Sequence, residues 1–72
     1  MKNPYIAFEI AYLKNDYDNV LLYKDKIDLN PRRHTQIVST LIRANEHKAA
    51  LDFARETKNP DLIKMAEQAT GM

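Results

Sequence analysis

Two runs of apolar residues at helical spacing dominate the middle of the chain: Ile37, Val38, Leu41 and Ile42, then Ala49, Ala50, Phe53 and Ala54. The six residues between them, 43–48, are mostly polar and form a corner. Asn45 suits that corner because Asn tolerates a left-handed backbone at a helix end and can offer its side-chain oxygen to cap the next helix. A connection this short makes the two helices antiparallel neighbours.

Three Asn-Pro pairs punctuate the sequence, Asn3-Pro4, Asn30-Pro31 and Asn59-Pro60, and each precedes an apolar periodic run. Each is a helix start. The Asn side chain accepts from a free amide of the first turn, and Pro at the first helical position lacks an amide that would go unpaired anyway. The pattern therefore predicts an all-α fold in a single domain, 1–72, with five short antiparallel helices at about 4–14, 17–27, 31–44, 46–57 and 60–70. They form stacked helical hairpins or a small bundle. Gly71 is a C-terminal stop for the last of them.

The first helix is apolar nearly all round, from Tyr5 to Leu13, with Glu9 as its single charge. Such a helix requires burial on more than one side. Either the other helices wrap it, or one face meets another molecule. The second helix carries Val20, Leu21, Tyr23 and Ile27 on its apolar side, and the alternating charges from Lys24 to Asp28 read as a solvated surface.

Length and charge narrow the function classes. With 72 residues the core is small, so help from a partner or a second copy is in keeping with the size. There is no cysteine, which removes disulfides and thiolate metal sites. The first residues are too short and too polar a run for a signal peptide or membrane span, and the expected location is cytoplasmic with no membrane association. The net charge of +1 steers the chain to no polyanion. Basic residues nonetheless concentrate in 31–57, which holds five Lys and Arg against three Asp and Glu.

Helix, corner, helix and Asn-Pro recur at an offset of 29 residues, pairing Leu13 with Ile42, Val20 with Ala49, and Asn30-Pro31 with Asn59-Pro60. The stretch from Tyr12 to Asp18 looks like the corner of a tetratricopeptide repeat, and Ala49, Phe53 and Pro60 look like its second helix and stop. The chain thus loosely resembles tetratricopeptide-like hairpins, with a shorter period than their ~34 residues and with Asn15 and Ala44 near the place of the corner glycine. The resemblance implies a peptide- or protein-binding surface without chemistry of its own.

Catalytic and cofactor signatures are lacking. Ser39 sits mid-helix without a nucleophile elbow, and the single glycine allows no phosphate loop. His34 and His47 begin successive helices, which separates them by roughly 15–20 Å and bars a shared ion. No cofactor, metal or enzymatic activity is expected. The unusual local feature is Arg32-Arg33-His34 in the first turn of the third helix, where positive charge opposes the dipole. An acidic partner, a phosphate or Asp28 just upstream would compensate it.

The expected function is protein–protein interaction, as a small adaptor, inhibitor or accessory factor. Tyr5, Phe8 and Tyr12 of the first helix and Arg32 and Arg33 at the basic corner are the candidate contact residues, because aromatics and Arg commonly anchor interfaces. Self-association through the first helix is a second use of that surface. The alternative is a small DNA- or RNA-binding regulator that would align Arg32, Arg33, Arg43 and Lys48 along phosphates.

Overall fold

A computed structural model describes residues 3–69 and Gly71. Five helices follow in order: α1 Pro4–Leu13, α2 Tyr17–Lys24, α3 Pro31–Arg43, α4 His47–Thr57 and α5 Pro60–Ala69. All three Asn-Pro pairs start helices as their chemistry requires. Asn3 Oδ1 accepts from the Tyr5 amide at 2.9 Å, Asn30 Oδ1 from that of Arg33 at 2.8 Å, and Asn59 Oδ1 from that of Asp61 at 3.0 Å.

The two corners share one backbone design. Asn15 and Asn45 both have positive φ, 55° and 63°. Each donates its amide three residues back into the helix end, to the carbonyls of Tyr12 and Ile42, while the following amides of Asp16 and Glu46 reach Ala11 and Leu41. This pair of bonds satisfies helix-end carbonyls that would otherwise be orphaned. The left-handed residue of the second corner is thus Asn45, and Ala44 precedes it in an ordinary conformation. Asp16 caps α2 through its side chain, whereas the N-cap of α4, Glu46, makes no side-chain cap bond, and Asn45 does not supply one.

Aligned on their corners, the hairpins repeat at 30 residues, one more than the Asn-Pro interval suggests. In this register Phe8 matches Val38, Ala11 matches Leu41, and Val20 matches Ala50, and every member of these pairs is buried. Val20 therefore corresponds to Ala50, not Ala49.

The second helix is shorter than the apolar pattern indicates. It ends at Lys24, and residues 25–30 cross to α3 without helical structure. Ile27 and Leu29 pack inward against the core while Asp28 between them faces solvent, an alternation that belongs to extended chain. Side chains from elsewhere hold this crossing, as described below.

Packing proceeds along the chain. α1 packs on α2, α3 on α4, and α4 on α5, while α3 also touches α1, α2 and α5. Among the described residues neither α1 nor α2 contacts α4 or α5. The result is a row of hairpins with principal extents of 43 × 21 × 14 Å, as expected of a stacked array in which each unit buries its apolar face on the next. The core runs its length: Phe8, Ala11, Val20, Ile37, Val38, Leu41, Ala50, Ala54, Leu62 and Ala66. None of the described helices is long and apolar enough to cross a membrane.

Candidate functional site

α1 has an inner and an outer side, and they differ from the sides its aromatic residues suggest. Phe8 is fully buried, so it fills the core and cannot anchor a partner. Tyr12 is half-buried against the same core. At about 100° per residue, Ile6, Ile10 and Leu13 lie round the helix from that side. They are 58 %, 47 % and 74 % exposed. The open apolar surface of this helix is thus led by a stripe of aliphatic side chains, with Phe8 and Tyr12 behind it, while Tyr5 is 37 % exposed.

Beside the stripe lies a groove of about 520 Å³ between α1 and α2. Ile6, Ala7, Ile10 and Ala11 form its apolar wall, Tyr23 stands across from them, and Asn3, Lys14, Asp16 and Asn19 supply the polar rim. Leu22, also exposed, follows Asn19 by three residues on α2 and widens the apolar region. One lysine and one aspartate at the rim leave the groove without net charge.

Tyr5, Arg33 and Arg43 also serve the fold. The Tyr5 hydroxyl accepts from the Asp28 amide at 3.2 Å and donates to the Asp28 carboxylate at 3.4 Å. Arg33 Nη1 donates to the Asp28 carbonyl at 2.9 Å, and its guanidinium sits over the Tyr5 ring, 4.8 Å from the centroid. One clasp therefore joins α1, the crossing segment and α3. This is what occupies Arg33 at its unfavourable place in the first turn: a backbone oxygen and an aromatic face, with no bond to the Asp28 carboxylate. Arg32 beside it is exposed and makes no hydrogen bond or ion pair among the described residues.

Arg43 donates to Asn15 Oδ1 at 2.8 Å, tying the end of α3 to the first corner. Two of the four basic residues suited to phosphates are thus engaged within the molecule, and Arg32 and Lys48 remain exposed. His34 rests edge-on against Phe53, with ring centroids 5.8 Å apart. Among the described residues no group of three or more His, Cys, Asp or Glu could hold a metal ion.

The clasp yields a stability prediction. Tyr5→Phe removes both hydroxyl bonds and should cost about 1 kcal/mol, and Arg33→Gln should cost a similar amount through the lost carbonyl bond and ring contact. Because the two side chains touch, the double variant should lose less than the sum of the single losses. Urea unfolding of the three variants followed by ellipticity measures the difference, and strict additivity would mean that the clasp is not a unit.

Compared with family models, curated proteins and solved structures, the chain matches none.

Proposed function

We propose that this protein is a non-enzymatic interaction module of the cytoplasm that receives an amphipathic helix of another protein in the groove between α1 and α2. The observation that carries the reading is the exposed stripe of Ile6, Ile10 and Leu13 beside an apolar groove on a chain with so small a core. A 72-residue chain has few large apolar side chains to spare, and leaving three of them in water on one helix costs solubility without strengthening the fold. Laying the apolar face of a helix into such a groove is a recurrent mode of recognition, with anchors at helical spacing on the incoming segment. The likeness of the hairpins to tetratricopeptide repeats supports the same class of function.

The reading revises which residues would touch the partner. Ile6, Ile10, Leu13 and the groove wall replace Phe8 and Tyr12, and Tyr5 and Arg33 support the surface from behind through their clasp with Asp28. Arg32 is the member of the basic corner that is free to meet an acidic group.

Affinity capture from the source cells, scored by quantitative mass spectrometry, tests the reading. Proteins retained by the wild type should be lost with Ile10→Asp and kept with Lys64→Glu, whose position is on the exposed side of α5. Isotope-labelled bait distinguishes a captured partner from a captured copy of the chain itself. A captured set identical for Ile10→Asp and wild type would refute the groove as the binding surface.

A further inference from the structure

The 30-residue register shows what the open groove is equivalent to. Ile6, Ala7, Ile10 and Ala11 of the first hairpin correspond to Gln36, Ile37, Thr40 and Leu41 of the second. In the second hairpin those positions are covered: Gln36 is 7 % exposed and Thr40 2 %, and the first hairpin lies over them, with Gln36 Nε2 donating to Glu9 at 3.1 Å. Two of the positions that the array covers internally, those of Ile6 and Ile10, therefore stand open at its N-terminal end. There they are occupied by isoleucines, where the covered positions carry Gln and Thr.

The two ends of the row differ. At the other end α5 turns Asp61, Lys64, Glu67 and Gln68 outward, a polar surface of the kind that closes a hairpin array. A head-to-tail stack of copies would set the isoleucines against those polar side chains. An open apolar end can meet its like only face to face.

We infer that the open α1–α2 face is covered by the same face of a second copy, in an antiparallel, two-fold symmetric pair. The spacing supports this geometry. Ile6, Ile10 and Leu13 are nearly symmetric about Ile10, so crossing two α1 helices antiparallel places Ile10 on Ile10 and Ile6 of one copy on Leu13 of the other. Such a contact is closed, since it uses the same patch twice and leaves no site for a third copy. Charge does not oppose it: the groove rim holds one lysine and one aspartate, and each chain carries a net +1. Three exposed aliphatic side chains and a groove wall are few beside the about 20–30 residues a side of a standard stable interface, so the pair forms in the micromolar range or weaker.

The inference rests on the groove reading and adds regulation to it: self-pairing shields the groove, and a partner helix must displace the second copy. Sedimentation velocity of the purified protein from about 5 to about 500 μM tests it, bracketing the expected range of Kd. The expected result is a monomer–dimer equilibrium in which Ile10→Asp weakens pairing by about thirtyfold or more, as loss of a central anchor does. Leu13→Glu should act in the same direction, and Lys64→Glu should leave the equilibrium unchanged.

Because the native chain has no cysteine, single-cysteine variants report the geometry directly. Ile10→Cys should cross-link to itself across the two-fold axis under mild oxidation, and Lys64→Cys should not. A monomer at ~500 μM, or a dimer that survives both Ile10→Asp and Leu13→Glu, overturns the inference. The partner reading is then judged separately, because a monomeric protein can still lose its captured partner with Ile10→Asp.

Discussion

Truncating Phe8 to alanine should cost about 3–5 kcal/mol, the usual loss for a fully buried aromatic, while Ile10→Ala two residues later should change the stability of the dilute monomer by less than about 0.5 kcal/mol. At roughly 0.05–0.15 kcal/mol per residue a chain of this length has some 4–11 kcal/mol in total, so Phe8→Ala removes about a quarter of it or more and can unfold the domain. The reason for the asymmetry is position within one helix. Phe8 is enclosed, and neighbouring side chains cannot all move to fill the space it would leave. Ile10 stands on the open side, where its loss creates no cavity. Urea titration at low micromolar concentration measures both, and equal losses for the two would mean that α1 is wrapped on all sides.

The second large effect is expected where the helices approach closely. Ala50 and Ala54 are both fully buried on α4, one turn apart, and α4 packs against α3 and α5. Small side chains at these places let the neighbouring helices come near, and both are fully enclosed. Ala54→Leu should therefore destabilise by about 1–3 kcal/mol through overpacking, even though leucine is the more hydrophobic residue. Thermal unfolding against a surface control such as Lys48→Leu, whose site is exposed, tests this. A stabilised Ala54→Leu variant would show that the α3–α4–α5 packing has room to spare.

Both predictions concern the same property of a stacked array. Each hairpin is held by its neighbours, and among the described residues the end units have one neighbour only. α5 meets this condition with polar side chains on its outer side, whereas α1 meets it with Ile6, Ile10 and Leu13. The apolar end is thus the one with something to gain from a further layer. That difference links the packing of the row to its proposed use as a docking surface.

Much of the architecture could be read locally. The Asn-Pro pairs announce α1, α3 and α5 because the bonds that start a helix lie within three residues of the cap. Asn15 and Asn45 mark the corners because the left-handed turn needs a residue that tolerates it, and its bonds reach back no more than five residues. The five-helix, all-α chain follows from these signals and from apolar periodicity.

Other features depended on residues far apart in the chain. α1 is apolar all round, so its sequence is silent on which side faces inward; α2 and α3 decide that by covering Phe8 and leaving Ile6 and Ile10 open. α2 stops at Lys24 because Ile27 and Leu29 find the core as extended chain, with Asp28 held by Tyr5 and Arg33. The basic corner shows a charge out of place, and only the fold supplies its partners. Determined by the sequence alone were the elements whose bonds close within a turn or two. Left to the tertiary structure were the sides those elements present, since burial of a side chain is set by neighbours that the chain brings together only on folding.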